Sequence, residues 1–161
     1  MLTVSLNGLA LRLTAPGTNW LLKSVMIGVA AKGLAVAVVV LADTVLDDGG
    51  AEAAHSERSL ALLAFMAVVF APLLESLQFA VLHWAMRRHL GLTAFVVANT
   101  VLAYLGHSPW TAAVGAAVQF CVMAYQYASF HNVLGPRTAY LGICVTHAFS
   151  NLIAVLARFL P

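Results

Sequence analysis

The sequence predicts an all-α membrane protein, a bundle of about five transmembrane helices that form one domain over residues 1–161. Of its 161 residues, 62% are hydrophobic and only 9% are charged, and the mean hydropathy is +0.93. A soluble domain of this size needs far more charge on its surface. Several apolar runs are also long enough to cross a lipid bilayer, which takes about 20 residues each. The net charge of +2 is too small to indicate a nucleic-acid partner.

Five apolar segments carry the predicted transmembrane helices, and polar or turn-forming stretches separate them. Residues 1–19 are expected to form an interfacial lead-in that ends at the turn-prone stretch "TAPGTN". Trp20 and Lys23 open the first span with side chains that suit the headgroup level. Ser108 and Pro109 suit the cap and the first position of the fourth helix. The predicted spans are 20–42, 58–85, 92–106, 110–130 and 138–159.

The Lys and Arg residues near the span ends favour a cytoplasmic N-terminus, because positive charge accumulates on the cytoplasmic side of membrane proteins. In this orientation the acidic loop at about residues 43–57 lies outside. Lys32 lies within the first span and is expected to snorkel or to pair with a carboxylate. The cytoplasmic side then has Arg12, Lys23, Arg87, Arg88 and Arg137, and the outer side has Arg58 and Arg158.

Four polar side chains occur where the predicted spans should be apolar. Glu75 lies in the second span, His107 ends the third, and His147 and Asn151 lie in the fifth. The four-residue spacing of His147 and Asn151 places them on one helix face. An ionisable residue at mid-membrane costs at least about 2.5–3.5 kcal/mol, so such residues usually face the bundle interior and have a function there. Each could be structural on its own, but together they predict a shared functional site.

The residues around Glu75 are expected to support that site. Pro72, one turn earlier, removes a helical hydrogen bond and leaves the carbonyl of Val68 without its donor, so that water could bind there. Gln78, one turn later, adds a polar group near the same face. A plain packing kink at Pro72 is the structural alternative.

The four polar residues include the groups that peptide hydrolysis requires. A carboxylate beside a neutral imidazole can take a proton from water and make that water a nucleophile. A second imidazole and an amide can donate hydrogen bonds to the oxyanion that forms on the attacked carbonyl. The residues therefore predict a water-activating Glu75–His107 pair and an oxyanion-stabilising His147–Asn151 pair, with no metal or covalent intermediate.

The motifs "APLLESLQFA", "AYLGH" and "HAFSN" occur in this order on separate predicted spans. In order and spacing they resemble the CPBP family of glutamic intramembrane proteases, which comprises CAAX prenyl endopeptidases and bacteriocin-processing Abi proteins. The resemblance covers about residues 65–155 and implies a protease-like core at about 58–159. It implies that the catalytic residues are Glu75, His107, His147 and Asn151, and that the substrate is a membrane-anchored protein or peptide.

The sequence departs from the family pattern at three positions: the second Glu of the first motif is Ser76, its Arg is Ala80, and a Phe before His107 is Ala103. The resemblance therefore implies a divergent member, in which Ser76 supports the site beside Pro72 and Gln78. Since His107 lies near the outer end of its span, the site is expected to open away from the cytoplasm. That suits a protein of the bacterial inner membrane that processes exported substrates at a C-terminal sorting signal, as in the myxosortase-like branch.

Three other classes of protein fit parts of the pattern. Glu75, His107 and His147 could be the ligands of a zinc metalloprotease with an open fourth position. His107 and His147 could instead be the axial ligands of a haem. A catalytically inactive scaffold or chaperone with the CPBP fold would explain Ser76 and Ala80.

Overall fold

The computed structural model describes residues 6–16, 19–46, 60–86 and 89–157, and in these ranges it contains helices and no strand. The predicted all-α class is confirmed. The helix Leu60–Phe65 (α3) continues through a short π-helical segment, Met66–Phe70, directly into the helix Ala71–Met86 (α4). The helices are α1 (Leu6–Leu13), α2 (Trp20–Leu46), α3 (Leu60–Phe65), α4 (Ala71–Met86), α5 (Gly91–Gly106), α6 (Trp110–Leu134) and α7 (Pro136–Ala157).

Three stretches of the described chain are helical, long and apolar enough to cross a membrane: Trp20–Leu41, Met66–Met86 and Pro136–Ala157. Helix α5 is a shorter apolar helix. Large apolar side chains on the outer faces are exposed, among them Leu77 at 51% and Val101 at 47%. An exposed apolar surface of this kind suits contact with lipid. The protein is therefore a helical membrane bundle. Helices lie at the positions of all five predicted spans, but α6 is not among the stretches named above, so the number of spans stays a prediction.

Helix α6 is the centre of the bundle, because it packs against α1, α2, α4, α5 and α7. Residues 119–130 of this helix are mostly buried, and Phe120, Met123 and Phe130 belong to the main apolar core. Phe79 of α4 packs against Phe120 with a ring-centroid distance of 5.2 Å. Helix α6 begins at Trp110 after Pro109, with no side-chain cap, so the predicted cap at Ser108 is wrong.

A buried hydrogen-bond network joins α2, α6 and α7. Ser24, Gln126 and Thr146 are each fully buried. The Thr146 hydroxyl lies 2.9 Å from the Ser24 carbonyl oxygen and 2.8 Å from Gln126 Oε1. Gln126 Nε2 donates to Ser24 Oγ at 3.1 Å. Because Thr146 precedes His147 in the chain, this network fixes the part of α7 that carries the candidate site.

Helices α2 and α7 approach closely at Gly28, where small residues allow two membrane helices to pack backbone to backbone. A Cβ atom added to Gly28 would lie 2.6 Å from the carbonyl oxygen of Thr146. Glycine is therefore required at this position by space, although its backbone conformation is an ordinary helical one.

The π-helical segment before Pro72 changes which backbone carbonyl lacks a donor. The Ala71 N–H donates to the carbonyl of Met66, five residues earlier, and not to Ala67. In this register the next donor would be the amide of residue 72, and Pro72 has no N–H. The carbonyl left without a helical donor is that of Ala67. The sequence prediction assumed an α-helical register and placed it one residue later, at Val68.

Candidate functional site

Glu75 of α4 and His147 of α7 face each other where these two helices meet, and the Glu75 side chain is 36% exposed. The distance from Glu75 Oε2 to His147 Nε2 is 3.6 Å, and the His147 side chain is only 4% exposed. Glu75 Oε2 and His147 Nδ1 are buried and have no hydrogen-bond partner among the described residues. A polar pair at this separation is close enough for a bridging water. The sequence placed Glu75 and His147 in one site, but it paired Glu75 with His107.

His107 follows the last residue of α5, and its ring turns back toward that helix. His107 Nδ1 lies 2.7 Å from the carbonyl oxygen of Ala103. Because a carbonyl only accepts hydrogen bonds, Nδ1 is the donor, and in the neutral ring Nε2 is left as an acceptor. Glu75 and His107 are close enough to interact electrostatically. His107 therefore offers a lone pair to the site, as a base or a water-orienting group must.

Asn151 joins α7 to the π-helical segment. Its Nδ2 donates a 2.7 Å hydrogen bond to the carbonyl of Ala67, the carbonyl that Pro72 leaves without a helical donor. The partner of the freed carbonyl is thus a side-chain amide, where the sequence predicted water. One amide hydrogen of Asn151 is used in this way, and the second hydrogen and Oδ1 are left for other contacts.

A cavity of about 310 Å³ lies between α2 and α6, and His107, His147 and Asn151 contribute to its lining. Three of the four predicted catalytic residues therefore reach one space. Glu75 is not among the residues that line the cavity. It contacts the cavity-lining residue His147. The rest of the lining consists of Lys32, Ala35, Val36, Val39 and Val40 of α2 and of Thr111, Ala112, Gly115, Ala116, Gln119 and Phe120 of α6.

The three predicted supporting residues have different environments. Pro72 is buried and lies directly after the π-helical segment. Ser76 is fully buried, with its side chain beside the Cys144 thiol of α7. Gln78 donates from Nε2 to Asn99 Oδ1 of α5 at 3.2 Å, outside the cavity lining. Pro72 and Ser76 therefore belong to the α4–α7 contact around Glu75, whereas Gln78 joins α4 to α5.

Among the cavity-wall residues that the sequence did not assign to the site, Phe120 and Lys32 lie closest to its chemistry. Phe120 packs edge-on against His147, with a ring-centroid distance of 5.5 Å, and its centroid lies 6.3 Å from that of His107. Lys32 lines the cavity and interacts electrostatically with His147. Its position in the middle of an apolar span was the available signal, but the sequence did not indicate which helix face the cavity occupies.

A metal site is not supported by the described part of the chain. Among these residues, no group of three or more His, Cys, Asp or Glu side chains is arranged so that it could hold a metal ion. The predicted zinc ligands Glu75, His107 and His147 share the site but do not form such a group.

The fold and the cavity define a class of protein: a helical membrane bundle in which ionisable and amide side chains of α4, α7 and the end of α5 meet beside a partly open cavity. No family model matches the sequence, and no curated protein or solved structure is significantly similar to the chain.

Proposed function

We propose that this protein is an intramembrane endopeptidase of the glutamic type, which cleaves a membrane-anchored or exported protein with activated water. The observation that carries the proposal is the contact between Glu75 and His147, 3.6 Å apart, beside a cavity that His107 and Asn151 also line. A carboxylate and an imidazole with unsatisfied buried atoms, together with a second imidazole, are groups that a water-activating site requires.

In the proposed reaction, a water bound near Glu75 and His107 attacks the carbonyl carbon of the scissile peptide bond. Glu75 takes the proton of the water, and His107 Nε2 accepts its second hydrogen bond. The oxyanion receives hydrogen bonds from His147 and from the second amide hydrogen of Asn151. The carbon–nitrogen bond then breaks, and Glu75 returns the proton to the leaving amine. Atoms and charge balance without a metal ion or a covalent enzyme intermediate.

The motifs around these residues support placing the protein in a divergent branch of the CPBP family. The cavity lies where α5 ends and α6 begins, because His107 and Thr111 are both part of its wall. With a cytoplasmic N-terminus this end of the bundle faces outward. Such a location favours an enzyme of the bacterial inner membrane that acts on exported or anchored proteins, at a C-terminal sorting signal.

A non-catalytic scaffold with the same architecture is the second candidate. The hydrogen bond from Asn151 to the Ala67 carbonyl favours it, because it gives Asn151 a structural task. The hydrogen bond between Gln78 and Asn99 likewise shows that polar side chains join helices in this bundle. A scaffold would need the four polar residues only for packing, so its function would survive the loss of the Glu75 charge.

The test is co-expression with epitope-tagged proteins that carry a C-terminal apolar anchor, followed by a search for cleaved products. We expect products with the wild type and none with Glu75→Gln or His147→Ala. The matched control is His89→Ala, which removes an exposed imidazole outside the cavity and should leave cleavage unchanged. Equal cleavage by wild type and a folded Glu75→Gln variant would reject the glutamic mechanism. Persistence of cleavage in a chelator would separate it from zinc catalysis.

A further inference from the structure

Lys32 is a cation in the middle of an apolar helix, and it lies in the cavity wall. By the axial rise of an α-helix, it is about 18 Å from Trp20 and about 14 Å from Leu41, the two ends of the apolar part of α2. Its side chain is too short to bring the ammonium group to either end. The Lys32 side chain therefore cannot reach the membrane surface by snorkelling along α2, as the sequence analysis had expected.

Among the side chains that the structure describes, Glu75 is the one carboxylate, and it faces His147 and not Lys32. The pairing of Lys32 with another carboxylate of the chain stays a prediction, because the remaining acidic side chains lie outside the described part. A half-buried cation in a membrane span usually has a partner or a function, because its burial without either is costly. His107, His147 and Asn151 share the cavity lining with Lys32, so a peptide bound at the proposed site would also meet its ammonium group.

The cavity lining combines Lys32 and a few other polar side chains with small apolar residues along its length. A Cβ atom on Gly115 of α6 would contact the Val39 side chain of α2 at 3.6 Å, which sets these residues at one level. Because α2 and α6 run in opposite directions, Lys32 and Phe120 share the deep end of the cavity, whereas Val40 and Thr111 share the other. Small apolar side chains lie between the two ends, and they would accept an apolar chain but offer it no charge partner.

We propose that Lys32 is the specificity-determining residue of the cavity, and that it pairs with a carboxylate carried by an apolar peptide segment bound between α2 and α6. The carboxylate is either the C-terminal carboxylate of the peptide or an acidic side chain close to the bond beside His147. This inference rests on the proposed peptidase function for its ligand class. Its chemical basis is the charge complementarity between the ammonium group of Lys32 and a carboxylate in a low-dielectric site.

The test measures binding and does not depend on turnover. Four fluorophore-labelled peptides of alternating Val and Ala serve as probes: a free C-terminal acid, its amide, and an amidated pair with an internal Glu or Gln. Fluorescence anisotropy in nanodiscs gives the affinities of the protein carrying Glu75→Gln, so that no probe is consumed. We expect one acidic probe to bind about tenfold more tightly than its neutral partner.

Three further variants decide the role of Lys32. In Lys32→Met the preference for the acidic probe should disappear, whereas Lys32→Arg, which keeps the positive charge, should retain it. Lys23→Met is the matched control, since it removes the other lysine of α2 and lies outside the cavity lining. Size-exclusion profiles identify any variant that fails to fold, and the Arg variant then decides whether the charge matters.

The outcome identifies the source of the carboxylate. A preference for the free C-terminal acid or for the internal Glu supports the inference and assigns that source. Equal binding of acidic and neutral probes by the protein, or a preference that persists in Lys32→Met, overturns it. Failure of the peptidase proposal has a different signature, because cleavage would be absent or insensitive to Glu75→Gln while the dependence of binding on Lys32 stayed intact.

Discussion

The side-chain amide of Asn151 replaces the backbone donor that Pro72 lacks, by donating a 2.7 Å hydrogen bond to the carbonyl of Ala67. This contact ties α7 to the π-helical segment just before Glu75. π-helical turns inside longer helices are frequent at functional sites. The relationship joins a structural irregularity in one helix to a polar residue in another, and it leads to the first prediction.

Asn151→Leu should destabilise the protein by about 1–3 kcal/mol, because it leaves the Ala67 carbonyl without a partner. The measurement is thermal or denaturant unfolding of the purified protein. Pro72→Ala supplies the missing backbone N–H and is the appropriate second change. In a double-mutant cycle, Asn151→Leu should lower the free energy of unfolding by less in the Pro72→Ala background than in the wild type. Strictly additive effects would show that the two residues are not coupled through Ala67.

Gly28→Ala should destabilise the bundle by about 1–3 kcal/mol, since the new methyl group would lie 2.6 Å from the carbonyl oxygen of Thr146 and push α2 from α7. Gly33→Ala is the matched control on the same helix, because a Cβ atom there meets nothing within 4 Å. It should be neutral or slightly stabilising, as alanine favours a helix over glycine. If the two variants unfold at the same temperature, the close approach at Gly28 is not as described.

His107→Asn should abolish the proposed cleavage while leaving stability almost unchanged. The amide of asparagine can still donate to the Ala103 carbonyl, 2.7 Å from Nδ1 in the native site, but it has no counterpart of the Nε2 lone pair. Loss of a general base or its partner costs at least about 100-fold in rate. The paired measurements are the cleavage rate on an anchored substrate and the unfolding temperature. Substantial retained cleavage would assign His107 a structural role only.

A cysteine placed at Ser56 should react with a membrane-impermeant maleimide in intact cells. The positive-inside rule places this loop outside. Thr138→Cys, near the start of α7, is the opposite control and should react only after lysis. Both variants need Cys121 and Cys144 replaced by Ala so that the label reports a single site. Labelling in the reverse order would invert the bundle and place the cavity at the cytoplasmic end.

The sequence predicted helix positions well, because hydrophobic run length and turn-forming residues determine where a membrane helix can begin and end. The predicted span 92–106 corresponds to α5, and 138–159 starts two residues after α7 begins. The sequence also predicted that His147 and Asn151 lie together, because residues four apart share one face of a helix. Their placement beside Glu75 needed contacts between helices, and the motifs suggested that only through the CPBP resemblance.

Other features depended on packing and could not be derived from a single helix. Gln78 is one turn from Glu75, yet it turns to Asn99 of α5 because the neighbouring helix offers an amide there. Identifying Ala67 as the residue with the free carbonyl required the π-helical register, which cannot be predicted from the residue types. The direct neighbour of Glu75 is His147 because α4 packs against α7, whereas His107 reaches the cavity from the end of α5.

The central position of α6 has a consequence for biogenesis. Helix α2 makes its extensive contacts with α6 and α7, and none of comparable size with α3, α4 or α5 in the described chain. In a nascent polypeptide that has reached the end of α5, helix α2 therefore has few contacts with α3, α4 and α5. The contacts that join α2 to the rest of the bundle therefore form only once α6 and α7 have been synthesised.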